Sequence, residues 1–123
     1  MAVEIVFYAT RTEQMNHEEE ARIEEISQKY LKEYKGKKFE GPGCIIGEDG
    51  EPIFAGNIRL PFRDASQNGL EEFMDYWLKW LTEITYVLVG AEWEVSLEEV
   101  PLLWDKEKGW RLMTDEEYRD LMI

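Results

Sequence analysis

Cys44-Ile45-Ile46-Gly47-Glu48-Asp49-Gly50-Glu51-Pro52-Ile53-Phe54-Ala55-Gly56-Asn57-Ile58-Arg59-Leu60 reads as two strands folded about a tight turn. Asp49-Gly50 is the dipeptide that most readily supplies the positive φ angles of a two-residue hairpin. The spacing therefore predicts strands over residues 44–47 and 51–60. In the second, Phe54, Ile58 and Leu60 share one face, and Ile53, Ala55, Asn57 and Arg59 share the other. Pro61 closes the element because it has no N–H for a ladder.

Upstream, residues 3–10 alternate. Val3, Ile5 and Phe7 make an apolar face, and Glu4, Val6 and Tyr8 a mixed one, the pattern of a strand buried on one side. Asn16, with Glu19 three residues on, reads as a capping box, and Glu18, Glu19 and Glu20 suit the positive end of a helix dipole. The helix then runs to about Tyr34, with Ile23, Ile26, Tyr30, Leu31 and Tyr34 on one stripe. Lys35-Gly36-Lys37-Lys38 ends it with glycine and basic charge.

Downstream, Asn68 and Glu71 open a second helix whose wide apolar arc holds Leu70, Phe73, Met74, Trp77, Leu78, Trp80, Leu81 and Ile84. Residues 86–97 alternate with a period of two, which predicts one long strand with Val87, Val89, Ala91, Trp93, Val95 and Leu97 on the same side. Residues 100–104 and 110–113 flank a turn and predict a second hairpin that pairs Trp104 with Trp110. Thr114-x-x-Glu117 is a capping box for a short helix over residues 116–122.

Strand–helix–strand–strand–helix–strand with one central hairpin is the order of the ferredoxin-like split βαβ arrangement, an α+β fold with both helices on one face of an antiparallel sheet. The reading is one domain over residues 1–123, with a core of 1–99 and a hairpin–helix extension of 100–123. The helix-covered face would hold Val3, Ile5, Phe7, Phe54, Ile58, Leu60, Val87, Val89, Ala91 and Trp93. The other face would hold Glu4, Val6, Tyr8, Ile53, Ala55, Asn57, Arg59, Tyr86, Leu88, Glu92 and Glu94. It is half apolar, more than a water-facing sheet calls for, so either the second hairpin or another protein is expected to cover it.

The chain has 123 residues, 44% of them hydrophobic, enough to bury a core without disulfides or metal. Fourteen Lys and Arg against twenty-seven Asp and Glu give a net charge of −13. Residues 1–40 carry seven basic and nine acidic side chains, so nearly all of the excess lies in residues 41–123. That field repels phosphate backbones and disfavours direct nucleic-acid binding. It suits docking on a basic surface of another protein. The N-terminus has no basic segment followed by an apolar run, and no stretch is long and apolar enough to span a bilayer, which points to a cytoplasmic protein.

Chemistry-bearing motifs are few. Cys44 is the lone cysteine, so neither an internal disulfide nor a cysteine zinc site is open to the chain, and its apolar setting suggests a small buried hydrophobe. His17, the sole histidine, stands among glutamates in a first helical turn and reads as a solvated side chain. Gly41-Pro42-Gly43 lacks the strand–helix context of a phosphate loop, and Glu48-Asp49-Gly50-Glu51 lacks the spacing of a calcium loop. No catalytic, cofactor or metal site is expected. Glu92 and Glu94, near Arg59, are the carboxylate pair most suggestive of acid–base work, with an ordinary cross-strand ion pair as the plainer account.

What remains is a combination of acids and aromatics. Glu92, Glu94, Glu98, Glu99, Asp115, Glu116 and Glu117 interleave with Trp104, Trp110 and Tyr118, the kind of charged and aromatic mixture that protein interfaces use. In size, acidity and lack of motifs the chain is similar in kind to small inhibitors made by phages and other mobile elements, such as anti-CRISPR proteins, or to toxin-immunity proteins. That likeness implies an inhibitor that binds without turnover, in one form a nucleic-acid mimic. Two other readings stand beside it: a dimeric ferredoxin-like enzyme or ligand binder using carboxylates, and a homodimer formed through the open sheet face.

Overall fold

Ile5, Phe7 and Ala9 are fully buried along strand β1 (Glu4–Thr10), while Val6, Tyr8 and Thr10 between them are exposed. This alternation orients everything else in the computed structural model, which describes residues 4–34, 41–47, 52–60 and 67–122. β1 lies at the centre of a five-stranded antiparallel sheet of order β2-β3-β1-β4-β5. Its neighbours are β3 (Phe54–Arg59), in the register Ile5↔Ile58 and Phe7↔Gly56, and β4 (Glu92–Leu97), in the register Ile5↔Leu97 and Phe7↔Val95. β2 (Gly43–Ile46) lies outside β3, and the two-residue β5 (Val100–Pro101) lies outside β4. The two strands flanking Asp49-Gly50 therefore pair as expected. The turn itself, with Val3, Lys35–Lys38 and Pro61, lies outside the described residues, as do the side chains of Asn68 and Leu70.

Helix α1 (His17–Glu33) begins at the expected capping box: the Asn16 side chain accepts from the Glu19 N–H at 2.8 Å, and the Glu19 carboxylate accepts from the Asn16 N–H at 3.0 Å. Ile23 and Ile26 are buried, with Tyr30, Leu31 and Tyr34 packed against the same core. Helix α2 (Gln67–Val87) supplies the largest part of that core: Phe73, Met74, Trp77, Leu78, Trp80, Leu81 and Ile84 are all buried. It starts one residue before Asn68, so Asn68 lies inside its first turn. Trp80 bridges the layers. Its ring meets Phe7 edge-on at 5.7 Å, and its indole N–H donates to the Ser27 hydroxyl of α1 at 3.0 Å.

The long strand expected over residues 86–97 is only half a strand. α2 continues through Tyr86 and Val87, and β4 starts at Glu92. Tyr86, Val87 and Val89 favour strands by their own propensity, but the 3.6-residue spacing of Leu81, Ile84 and Leu88 carries the buried stripe one turn further. Leu88 is buried and Val89 is 76% exposed, the reverse of the period-two expectation. Gly90, at φ 81, then turns the chain into β4. Val87 and Val89 therefore do not belong to the helix-covered sheet face, nor Tyr86 and Leu88 to the open one.

The second hairpin forms from β6 (Leu103–Asp105) and β7 (Gly109–Arg111), with Trp104 opposite Trp110. It packs on α2, not on the open face. The Trp110 indole N–H donates to Thr85 Oγ1 at 2.9 Å, its ring lies 6.5 Å from Trp93, and it belongs to the buried core. Gly109, at φ 83, sits against Thr82, where a Cβ would come within 2.3 Å of the hydroxyl.

Helix α3 (Asp115–Met122) opens on the expected Thr114–Glu117 capping box. Glu117 also forms a two-pronged pair with Arg111 at 2.8 and 3.0 Å. The Arg111 guanidinium, helped by the Thr114 N–H, pulls the Glu117 carboxyl down from 4.5 to about 2. The folded value lies below the unfolded one, so this contribution is complete above about pH 4.5 and is lost as pH falls towards 2. Amide shifts of α3 are expected to lose helical character over that window. Glu117→Gln, which keeps the capping acceptor but not the charge opposite Arg111, should show part of that loss already at neutral pH.

Candidate functional site: the open face of the sheet

With the helices and the second hairpin on one side, the other side of the sheet has no cover among the described residues. Register places its side chains in rows across the strands. Ile45, Ala55, Tyr8 and Glu94 form one row, and Gly43, Asn57, Val6, Ser96 and Pro101 form the next. The apolar members are accessible: Val6 is 39% exposed, Tyr8 37% and Ile45 67%. Carboxylates stand at both ends. Glu92 and Glu94 occupy one end of β4. Glu4 and the Glu98-Glu99 turn occupy the other, where the Glu98 N–H donates to the Glu4 carbonyl at 3.3 Å.

Arg59 is not near Glu92 and Glu94, as the sequence suggested. β3 runs antiparallel to β1, which puts Arg59 opposite Glu4 at the far end of the face, and its Nε lies 3.5 Å from the Glu4 carboxylate. Asn57 donates to the same carboxylate at 3.0 Å. Glu94 instead accepts a hydrogen bond from the Tyr8 hydroxyl, and that bond raises the Tyr8 pKa above its ordinary value. The pair is exposed. An exposed carboxylate on a solvated phenol differs from the buried, pKa-separated carboxylate pair that acid–base catalysis uses.

The remaining expected residues divide between two places. Trp110 is part of the core, and Trp104 covers it, with ring centres 5.2 Å apart and 37% of its own surface exposed. Glu117 is held by Arg111 and Thr114. Asp115, Glu116 and Tyr118 lie exposed on α3. The ten residues therefore do not share one face: Glu92 and Glu94 belong to the open sheet, Glu98 and Glu99 to its edge turn, and the rest to the hairpin–helix unit. Val6 and Tyr8 belong to the half-apolar face expected from the sequence; Ile45, given no face there, joins them through the register, and Ile53, expected beside them, is buried in the core.

At one end of the sheet an open cleft of about 820 Å³ is lined by Thr10, Arg11, Glu13, Val89 and Glu92, among others. Arg11 looks like its cation but has no donor to spare. All five of its N–H groups are used, two on the Glu19 carboxylate and three on the carbonyls of Glu13, Gln14 and Val89. Arg11 ties the β1–α1 loop to the end of α2, and its bond to Glu19 lowers the Glu19 pKa. Among the described residues no group of three or more His, Cys, Asp or Glu side chains is placed to hold a metal ion, and no helix is long and apolar enough to cross a membrane. Cys44 is exposed on β2, not buried as its apolar context suggested, yet crowding around its sulfur pushes the thiol up to about 11, away from a nucleophile's range. Compared with protein-family models, curated proteins and solved structures, the chain matches none of them.

Proposed function

We propose that this chain is a protein-binding module that docks a basic surface of a partner on the open face of its sheet, acting as a regulator or inhibitor without turnover. The observation that carries this reading is the uncovered centre of Val6, Tyr8 and Ile45 between carboxylates at both ends of the face. Apolar and aromatic anchors provide affinity once desolvated, while the surrounding charge speeds encounter and selects the sign of the partner. The net charge of −13 extends that preference over the whole molecule. The arrangement is read as ferredoxin-like: α1 links β1 to β2 and α2 links β3 to β4, and the strand order makes each crossover skip one strand. The likeness in character to anti-CRISPR and immunity proteins gives such a module the role of an inhibitor.

A tagged chain, incubated with its own host's lysate at low and then moderate salt, tests the reading against two charge-matched variants. Glu92→Lys/Glu94→Lys reverses the open face. Glu24→Lys/Glu72→Lys makes the same change in net charge at exposed positions on α1 and α2. The wild type and the helix variant are expected to retain one stoichiometric partner, released as salt rises, while the face variant retains it at least about ten-fold less. Equal retention by the face variant overturns the proposal.

A further inference from the structure

The two edges of the sheet are not alike. β5 is two residues long and ends in Pro101, which has no N–H to offer a further strand. Among the described residues β2 pairs only with β3, and it carries Gly43-Cys44-Ile45-Ile46, with no charge and no proline. Ile45 is 67% exposed and Ile46 54%. Among the described residues its short length is the one protection against strand addition that it shows. The N–H of Gly47 donates to the Ile53 carbonyl of the neighbouring chain segment at 3.3 Å, so alternation along the strand turns the N–H groups of Ile46 and Cys44 outward, over the edge.

We infer that β2 accepts an extended segment of the basic partner as a sixth strand, with an apolar residue beside Ile45 and an arginine or lysine two positions away, opposite Gly43. The inference rests on the proposed docking face and names how the partner enters it. Ile45 heads the row Ala55, Tyr8 and Glu94, so an added strand continues the same surface. Gly43 has no side chain, and its ladder partner Asn57 holds the Glu4 carboxylate at 3.0 Å. A long basic side chain opposite Gly43 runs over β2 towards Asn57, whose Oδ1 stands beside Gly43 on a strand about 10 Å from the added backbone. The Glu4 carboxylate, already shared by Asn57 and Arg59, lies one strand further in. Main-chain bonds at the edge supply affinity, and the alternate side chains supply selection. A second copy of this chain is the poorer occupant, because it brings another −13 to the same edge.

The probe is a fluorescent eight-residue peptide that alternates Thr on one face with Arg and Val on the other, followed by anisotropy at low salt. Binding to the wild type is expected to saturate, to weaken at least about ten-fold in Ile46→Pro, and to lose much of its salt dependence in Glu4→Gln. Amide exchange at Cys44 and Ile46 should slow on saturation. Thermal melts of both variants establish that the fold persists. Equal binding by Ile46→Pro overturns the inference, as does no binding to the wild type up to millimolar peptide. So does a concentration-dependent dimer of the wild type that Ile46→Pro abolishes, which would make a second copy the occupant. Glu92→Lys/Glu94→Lys separates this from the docking reading: retention of the partner by that variant overturns the face, while the peptide result still decides the edge.

Discussion

Replacing Trp80 by alanine is expected to destabilise the folded chain by about 3–5 kcal/mol, the range for emptying the site of a buried aromatic. Against a total stability of about 5–15 kcal/mol for a domain, that brings the chain close to unfolding. Trp80 is fully buried and makes edge contacts with Phe7 of the sheet at 5.7 Å and with Trp77 at 6.1 Å. Its N–H also reaches Ser27, so one side chain joins β1, α1 and α2. Two milder variants separate the terms. Trp80→Phe keeps most of the ring and gives up the hydrogen bond, whereas Ser27→Ala leaves the indole N–H without its acceptor, at about 1–3 kcal/mol. Urea melts with unchanged slopes should rank Trp80→Ala as the most damaging of the three. A Trp80→Ala chain as stable as Ser27→Ala would mean that the core collapses around the hole.

Such a core was largely legible before the structure, and the reasons are local. The α1 stripe, both capping boxes and the alternation of β1 follow from spacing alone, because each period is set by the geometry of one element. The 86–97 segment departs from its period-two pattern because two local signals conflict there. β-branched and aromatic residues alternate through Val89, while Leu81, Ile84 and Leu88 continue the helix. Burial decided between them, and burial depends on where the sheet lies beneath α2, which a single sequence does not contain.

The candidate site was less legible for a related reason. Glu92 and Glu94 are on the open face as read, but their neighbours depend on strand register. Parity alone puts Arg59 on their face; register puts it at the opposite end, on Glu4. Trp110 stands with the surface acids in the expected interaction set, although a tryptophan pair across a hairpin also suits capping its own core; two threonines of α2, Thr82 and Thr85, accept its backbone and indole N–H groups and hold it there. Acidity marks which kind of partner suits the molecule, while the fold decides which of the carboxylates can meet it together.

A methyl group at Gly56 is expected to have a comparable effect by a different route. A Cβ there would lie 2.0 Å from the Gly43 carbonyl oxygen and 2.7 Å from the buried Phe7 ring. Overpacking ordinarily costs about 1–3 kcal/mol, because side chains shift. At Gly56 the nearest atom is backbone, so Gly56→Ala should reach or pass the top of that range and should push β2 off β3. Gly43→Ala is the contrast: its Cβ would meet only the Asn57 Oδ1, at 2.8 Å, and that side chain can rotate away. Amide exchange should show the difference. In Gly56→Ala, protection is expected to fall over residues 43–46 while the β1–β4 pairing, which holds Tyr8 against Glu94, stays protected. The same variant then divides the proposed surface in two. Peptide binding at the β2 edge should disappear with the strand, while the carboxylate end at Glu92 and Glu94 remains to hold a basic partner weakly. Uniform protection across the sheet in Gly56→Ala would mean that β2 is free to move as a unit with β3, and that its edge is less firmly presented than the register implies.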